Sequence, residues 1–144
     1  MTLPQQAVNQ NLWQRSFGGA ISEITSAARW IDTITAELAV PTSQVFAMQV
    51  CLEELMSNIL LHGGKGAPLT ISVAVQALPD RVVMIVEDDG RAFDLAHAPA
   101  KAIDRPLNQL QPGGLGIHLI KNFATSLHYA RTPTGNRVVL EFVN

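Results

Sequence analysis

A glycine-rich segment, His62-Gly63-Gly64-Lys65-Gly66, separates two stretches of helical periodicity from two stretches of strand alternation. Glycines continue neither a helix nor a strand well, so the elements on either side are separate. Before this segment, apolar residues recur at helical spacing over residues 22–38 and 43–61. After it, residues 69–75 and 81–87 have strand patterns. Helices grouped beside a strand hairpin favour an α+β fold.

The remaining segments extend this pattern at both ends. Residues 12–17 alternate as a short strand, and residues 127–131 and 137–142 predict a final hairpin. We expect Ser22 to cap the first helix, and Thr42 or Ser43 to cap the second. The length of 144 residues fits a single domain spanning 1–144, and a hydrophobic content of 47% is enough to form its core. We predict a two-layer sandwich, with a mixed, mainly antiparallel sheet and helices on one face.

One helix carries polar residues on its apolar side. At about 100° per residue, Glu53 falls on the polar stripe of helix 43–61, whereas Glu54 and Asn58 lie four residues apart among apolar neighbours. Those neighbours are Ala47, Val50, Cys51 and Leu61. Burial of an unpartnered carboxylate is costly. Two interpretations remain open: a Glu–Asn pair that ties the helix to a loop, or a metal–phosphate site with Asn58 as an Mg²⁺ ligand and Glu54 as a base.

An acidic turn follows the buried strand 81–87. Asp88 lies at the rim of the sheet, where it can accept a hydrogen bond from an exocyclic amine such as that of adenine. Because Asp-Gly pairs are common in turns, Asp88 to Gly90 also fits a plain turn. Arg91 is interpreted as a solvated turn residue, and the ring of Phe93 suits packing under the segment that follows.

Residues 91–113 contain three prolines and little periodicity. A structureless segment this long inside a compact domain is usually a functional lid or disordered. It ends at Gly113-Gly114-Leu115-Gly116, which opens an amphipathic helix. Free backbone N–H groups at a helix start attract anions, and glycine lets a phosphate approach closely. A flexible hinge for the lid is the alternative.

Charge and composition exclude several classes. The net charge is −2 and the pI is about 6.0, without any run of lysine or arginine, which argues against nucleic acid as the main partner. One cysteine and four scattered histidines provide no metal-site spacing and no internal disulfide. We find no signal peptide and no apolar run long enough to span a membrane. These features predict a cytoplasmic protein without a membrane partner.

Together, three segments resemble the sequence boxes of the GHKL ATPases, the gyrase, Hsp90, histidine kinase and MutL type. Residues 54–58 (ELMSN) resemble the N-box, residues 88–93 (DDGRAF) the first glycine box, and residues 114–116 (GLG) the second. The wording GGLGIHLI at 113–120 and GNRVVLE at 135–141 is similar to that of the anti-sigma-factor serine kinases. The resemblance covers residues from about 12 to 143.

This resemblance implies ATP and Mg²⁺ as cofactors and a role for each matched position. Asn58 holds Mg²⁺, Glu54 is the general base on a substrate serine, and Asp88 binds the adenine amine. The remaining residues of the implied nucleotide-binding set are Gly90, Phe93, Gly114, Leu115 and Gly116. Implied partners are a small anti-anti-sigma protein of the STAS type, a sigma factor, and a second copy of the chain as a homodimer.

Two positions depart from the family pattern. Ala92 replaces the second glycine of D-x-G-x-G, and Gln111-Pro112 stands where relatives often carry a basic, phosphate-contacting residue. Lys101 or Arg105 of the lid could substitute for that residue. Phosphoryl transfer needs a positive charge that neutralises the γ-phosphate, so the missing basic residue leaves the kinase activity open. Three hypotheses therefore remain. These are a serine-protein kinase, a nucleotide-binding module that regulates by sequestration alone, and a domain whose boxes are only structural.

Overall fold

The computed structural model describes residues 12–63, 68–92 and 120–144. Within these ranges the elements are β1 (Leu12–Gly18), α1 (Ser22–Glu37), α2 (Thr42–His62), β2 (Thr70–Leu78), β3 (Arg81–Asp88), β4 (Ser126–Arg131) and β5 (Asn136–Val143). Residues 120–123 are also helical. Each of these elements was predicted, with bounds that differ by at most three residues. Most of the predicted lid and the second glycine run lie outside the described residues.

The strands form one five-stranded sheet in the order β1-β2-β3-β5-β4. Every strand pair in the described part of the chain is antiparallel. Because β3 and β5 are paired antiparallel, the end of β3 lies beside the start of β5. In that register Asp88 is opposite Asn136, and Asn136 is opposite Arg131. The topology therefore brings the acidic turn against the last hairpin.

One face of the sheet packs against the helices and forms the core. Along β3, Val82, Met84 and Val86 are buried, whereas Val83 and Ile85 on the other face are half-buried. This alternation is that of a sheet with helices on one side, and it confirms the two-layer α+β sandwich. Fully buried helix side chains in this core include Ile31, Met48, Leu52, Leu55 and Met56.

The predicted helix caps were wrong. Ser22 is the first residue of α1 rather than its cap, since the preceding turn already supplies acceptors: Ala20 O binds Glu23 N at 2.9 Å and Ile21 O binds Ile24 N at 3.1 Å.

At α2, neither Thr42 nor Ser43 is the cap, because both lie within the helix. Pro41 holds the N-cap position, with φ −57° and ψ 142°. Its carbonyl accepts hydrogen bonds from Gln44 N and Val45 N, both at 3.0 Å. Backbone acceptors therefore replace side-chain caps at both helices. Neither helix is long and apolar enough, within the described residues, to cross a membrane.

Candidate functional site

A cleft lies where the C-terminal half of α2 meets the end of β3 and the start of β5. Its polar lining comes from Asn58, His62, Asp88, Arg91 and Asn136. Leu55, Ile59 and Val138 form its apolar walls, and Gly63 lies at the helix end. Two sequence-predicted residues, Asn58 and Asp88, are therefore brought together from separate segments of the chain.

Asn58 is almost wholly buried, with 2% of its surface exposed. Its Nδ2 donates to the carbonyl oxygen of Glu54 at 2.8 Å, one turn earlier in α2. A carboxamide has a donor nitrogen and an acceptor oxygen. The bond engages Nδ2, and within the described part of the chain Oδ1 of Asn58 remains as an acceptor.

Glu54 is half-buried, while Glu53 is exposed as predicted. Burial raises the pKa of the Glu54 carboxyl above its ordinary value, and the neighbouring charge of Glu53 raises it further. Burial, together with the charge of Glu54, also raises the pKa of the Cys51 thiol to about 12. Glu54 is not among the described residues that line the cleft, so only Asn58 of this pair faces it directly.

Asp88, the last residue of β3, is 9% exposed. Its Oδ1 accepts hydrogen bonds from Gly90 N at 2.8 Å and from Asn136 Nδ2 at 3.0 Å. The bond to Gly90 is that of a turn, as the sequence allowed. Among the described residues, the bonds of Asp88 engage Oδ1 twice and leave Oδ2 as an acceptor.

Gly90 lies tightly against the end of α2. A Cβ at this position would be 2.8 Å from Gly63 O and 2.9 Å from Asp88 Oδ1, so any side chain would displace backbone or carboxylate. Glycine here is therefore required by the close approach of the acidic turn to the helix.

Arg91, which we expected to be only a solvated turn residue, forms hydrogen bonds to the end of α2. It is exposed, yet its Nε and Nη2 both donate to His62 O at 3.2 Å, and its backbone nitrogen donates to Gly63 O at 3.1 Å. The last carbonyls of a helix lack intrahelical partners. Arg91 supplies donors to them and so ties the turn after β3 to α2.

Asn136 was missed by the sequence interpretation, although it is 4% exposed and bonded directly to Asp88. The sequence did contain a signal for it. Along β5, Asn136 is in phase with Val138, Leu140 and Phe142, which are all buried. A polar residue in phase with the buried face of a strand indicates a satisfied polar contact or a site.

The polar groups that line the cleft are of the chemical kind that an adenine nucleotide with Mg²⁺ requires. Asp88 and Asn58 each retain one acceptor oxygen, and Mg²⁺ prefers oxygen ligands supplied by few protein groups together with phosphates. No cluster of three or more His, Cys, Asp or Glu suited to a metal occurs among the described residues. The predicted residues Phe93, Gly114, Leu115 and Gly116 lie outside the described ranges.

Comparison with known proteins agrees with this fold. The family model of the histidine kinase-like ATPase domain matches residues 20–142. The chain is 28% identical over 117 residues to the serine/threonine-protein kinase BtrW of Bordetella bronchiseptica, covering 81% of this chain and 82% of that protein. It is 30% identical over 77 residues to the serine-protein kinase RsbW of Bacillus cereus, covering 51% of this chain and 48% of that kinase. The family match spans most of the sequence and confirms the GHKL resemblance: the chain belongs to the histidine kinase-like ATPase domain family.

Proposed function

We propose that this chain is an anti-sigma regulatory factor with serine-protein kinase activity, which binds ATP with Mg²⁺ and phosphorylates an anti-anti-sigma partner of the STAS type. One observation carries the proposal: Asn58 of α2 and Asp88 of β3 line the same cleft, and each keeps an acceptor oxygen. The family and the kinase names of the relatives support the reaction class.

Asp88 recognises the base in this proposal. A carboxylate only accepts hydrogen bonds, so Oδ2 pairs with the exocyclic amine of adenine while Oδ1 stays bound to Gly90 and Asn136. The burial of Asp88 strengthens the preference for a base with an exocyclic amine. A ligand without this amine would leave the buried carboxylate without a hydrogen bond, at the cost of its desolvation.

In this proposal, Asn58 would hold the metal through Oδ1. A neutral amide oxygen is a suitable Mg²⁺ ligand, and the small number of protein ligands leaves coordination positions for phosphate oxygens. When bound, ATP and Mg²⁺ supply the transferable phosphoryl group and neutralise the charge that develops on it. The bond from Asn58 Nδ2 to the Glu54 carbonyl fixes the amide so that its oxygen stays available.

Glu54 acts as the general base. It lies one helical turn before Asn58, and its raised pKa makes its carboxylate a better proton acceptor than an exposed glutamate. The proton of the partner's serine hydroxyl passes to Glu54 as the serine oxygen bonds to phosphorus. The bond between that phosphorus and the ADP oxygen breaks in the same exchange.

Glu54→Gln tests this role, with Glu53→Gln as the matched control one residue away. Loss of a general base lowers the rate by about 100-fold or more, so Glu54→Gln should bind ATP like the wild type but transfer little phosphate to the partner. Glu53→Gln should stay active. Phosphorylation by Glu54→Gln at the wild-type rate would remove Glu54 from the mechanism.

A second function has its own support: a nucleotide-binding regulatory module that sequesters partners without phosphoryl transfer. Glu54 is absent from the described lining of the cleft, and Gln111-Pro112 replaces the basic residue before the second glycine run. Incubation with labelled ATP and candidate STAS-type partners distinguishes the two functions. Nucleotide binding and partner capture without label on the partner would favour the module.

We also propose a cytoplasmic homodimer that holds a sigma factor once its anti-anti-sigma partner is phosphorylated, without direct contact to nucleic acid or membrane. The negative net charge supports the exclusion of nucleic acid. Light scattering of the purified protein tests the dimer, and a single-copy mass at micromolar concentration would contradict it.

A further inference from the structure

Three polar residues form a row across the last three strands of the sheet. Asp88 of β3 is opposite Asn136 of β5, which is opposite Arg131 of β4. Arg131 Nη1 also donates to Gly90 O at 2.8 Å, which joins β4 to the turn that follows Asp88. The row therefore links the proposed base-binding carboxylate to a strand that does not touch it directly.

The neighbours of Asn136 fix the orientation of its amide. Nδ2 donates to Asp88 Oδ1 at 3.0 Å and to Arg91 O at 2.6 Å, whereas Oδ1 accepts from the Tyr129 hydroxyl and from Arg131 Nη1 at 3.3 Å. A guanidinium only donates and a carbonyl oxygen only accepts. A flipped amide would place donor against donor and acceptor against acceptor, so one orientation satisfies all four contacts.

This fixed amide restrains Asp88. Oδ1 is held between Gly90 N and Asn136 Nδ2, and a partial rotation of the carboxylate would stretch both bonds. Without Asn136, the turn bond to Gly90 is the only hydrogen bond left to Oδ1 among the described residues. A carboxylate held in one orientation before binding loses less conformational freedom when it accepts a ligand hydrogen bond.

We propose that Asn136 is a positioning residue that sets selectivity for purines with a 6-amino group by fixing the carboxylate of Asp88, and that Tyr129 supports it. The proposal rests on the proposed function, in which Asp88 accepts the adenine amine. Its distinctive consequence is that Asn136 matters only for nucleotides that use the Asp88 hydrogen bond.

The experiment compares the affinities of ATP and purine riboside triphosphate, which lacks the 6-amino group, for wild type and Asn136→Ala. The wild type should prefer ATP. In Asn136→Ala, ATP affinity should fall about tenfold, as expected for a weakened charged hydrogen bond, and the affinity for the analogue should stay unchanged. The selectivity ratio is the readout, because a merely structural role would weaken both nucleotides together.

Tyr129→Phe provides a second variant should Asn136→Ala fail to fold. It removes only the hydroxyl that donates to Asn136 Oδ1, so a smaller loss of the same selectivity is expected. His128→Ala, on the same strand but the opposite face, is the matched control and should keep the wild-type ratio.

Equal loss of both nucleotides, or an unchanged ratio in both variants, would overturn the inference while the proposed function stands. A wild type that binds the two nucleotides equally would overturn the role of Asp88 and the inference with it. A wild type that binds neither would remove the nucleotide site altogether.

Discussion

The two walls of the cleft are built in different ways. On the sheet wall, Asp88 is held by Asn136, which is in turn held by Arg131 and Tyr129 from another strand. On the helix wall, Asn58 bonds to the Glu54 carbonyl within one turn of α2. The sheet wall thus depends on strand register between distant segments, whereas the helix wall depends on a local repeat of the helix.

Because the two walls are built differently, we expect substitutions in them to affect different properties of the protein. Substitutions that displace the backbone of the sheet wall should disturb packing and nucleotide binding together, because its polar atoms are buried and share partners. Substitutions on the helix wall should change metal binding or proton transfer with little effect on the fold. Each of the following experiments can break or sharpen that distinction.

The largest effect is expected at Gly135, on the sheet wall. An added Cβ would lie 1.7 Å from Asp88 O, which is a backbone atom that cannot rotate away. Gly135→Ala should lower the free energy of unfolding by about 3 kcal/mol or more, measured by urea denaturation.

Gly18→Ala is the matched control, since its Cβ would have its closest contact at 3.4 Å, with the flexible Glu23 side chain. This substitution should change stability by less than about 0.5 kcal/mol. Equal stability of the two variants would show that the sheet wall tolerates displacement at its edge.

The next effect concerns the metal on the helix wall. Asn58→Ala removes the proposed Mg²⁺ ligand, so ATP affinity should fall roughly 10- to 100-fold with Mg²⁺ present, in line with a lost contact to a charged group. With a chelator present, the variant and the wild type should bind ATP alike. Titration of ATP with Mg²⁺ and with a chelator measures both affinities. Asn136→Ala, which lies on the sheet wall, should lose ATP affinity under both conditions.

The same loss with and without Mg²⁺ in Asn58→Ala would place Asn58 among packing residues instead. Because Asn58 is buried, its substitution can also loosen the packing of the domain, and the melting temperature measures that effect separately. A large drop in melting temperature would contradict the separation of chemistry from stability on the helix wall.

A smaller effect is expected at Arg91, which joins the two walls. Arg91→Ala removes both guanidinium bonds to His62 O, at a cost of about 1 kcal/mol. Arg91→Lys keeps the charge without the planar fork and should recover only part of this stability. Urea denaturation measures both, and an Arg91→Ala variant as stable as the wild type would show that the backbone bond to Gly63 O alone joins the walls.

The smallest effect is a shift of the pH profile. A general base must be deprotonated, so kcat/KM should rise with pH through the raised pKa of Glu54, above the range of an ordinary glutamate. Glu53→Gln removes a charge that raises this pKa and should move the acid limb to lower pH. Cys51, with its pKa of about 12, stays protonated throughout. If the acid limb of the profile does not move in Glu53→Gln, the limb does not report the ionisation of Glu54.

The sequence predicted the helices, the strands and the two-layer fold because apolar periodicity is a local property. It also placed Asn58 on an apolar helix face, for the same reason. The cap predictions failed at Ser22 and Thr42 because backbone carbonyls of the preceding residues supply the acceptors. Side-chain propensity does not reveal which backbone atoms a preceding turn presents.

The sequence by itself determined which residues share a helix or strand face, including the spacing of Glu54 and Asn58 and the phase of β5. Only the tertiary structure decided which faces meet. It set Asp88 opposite Asn136, and it gave Arg91 a partner at the end of α2. The physical reason is that periodicity is fixed by backbone geometry over a few residues. The contacts of a cleft instead depend on strand order and register across the whole chain.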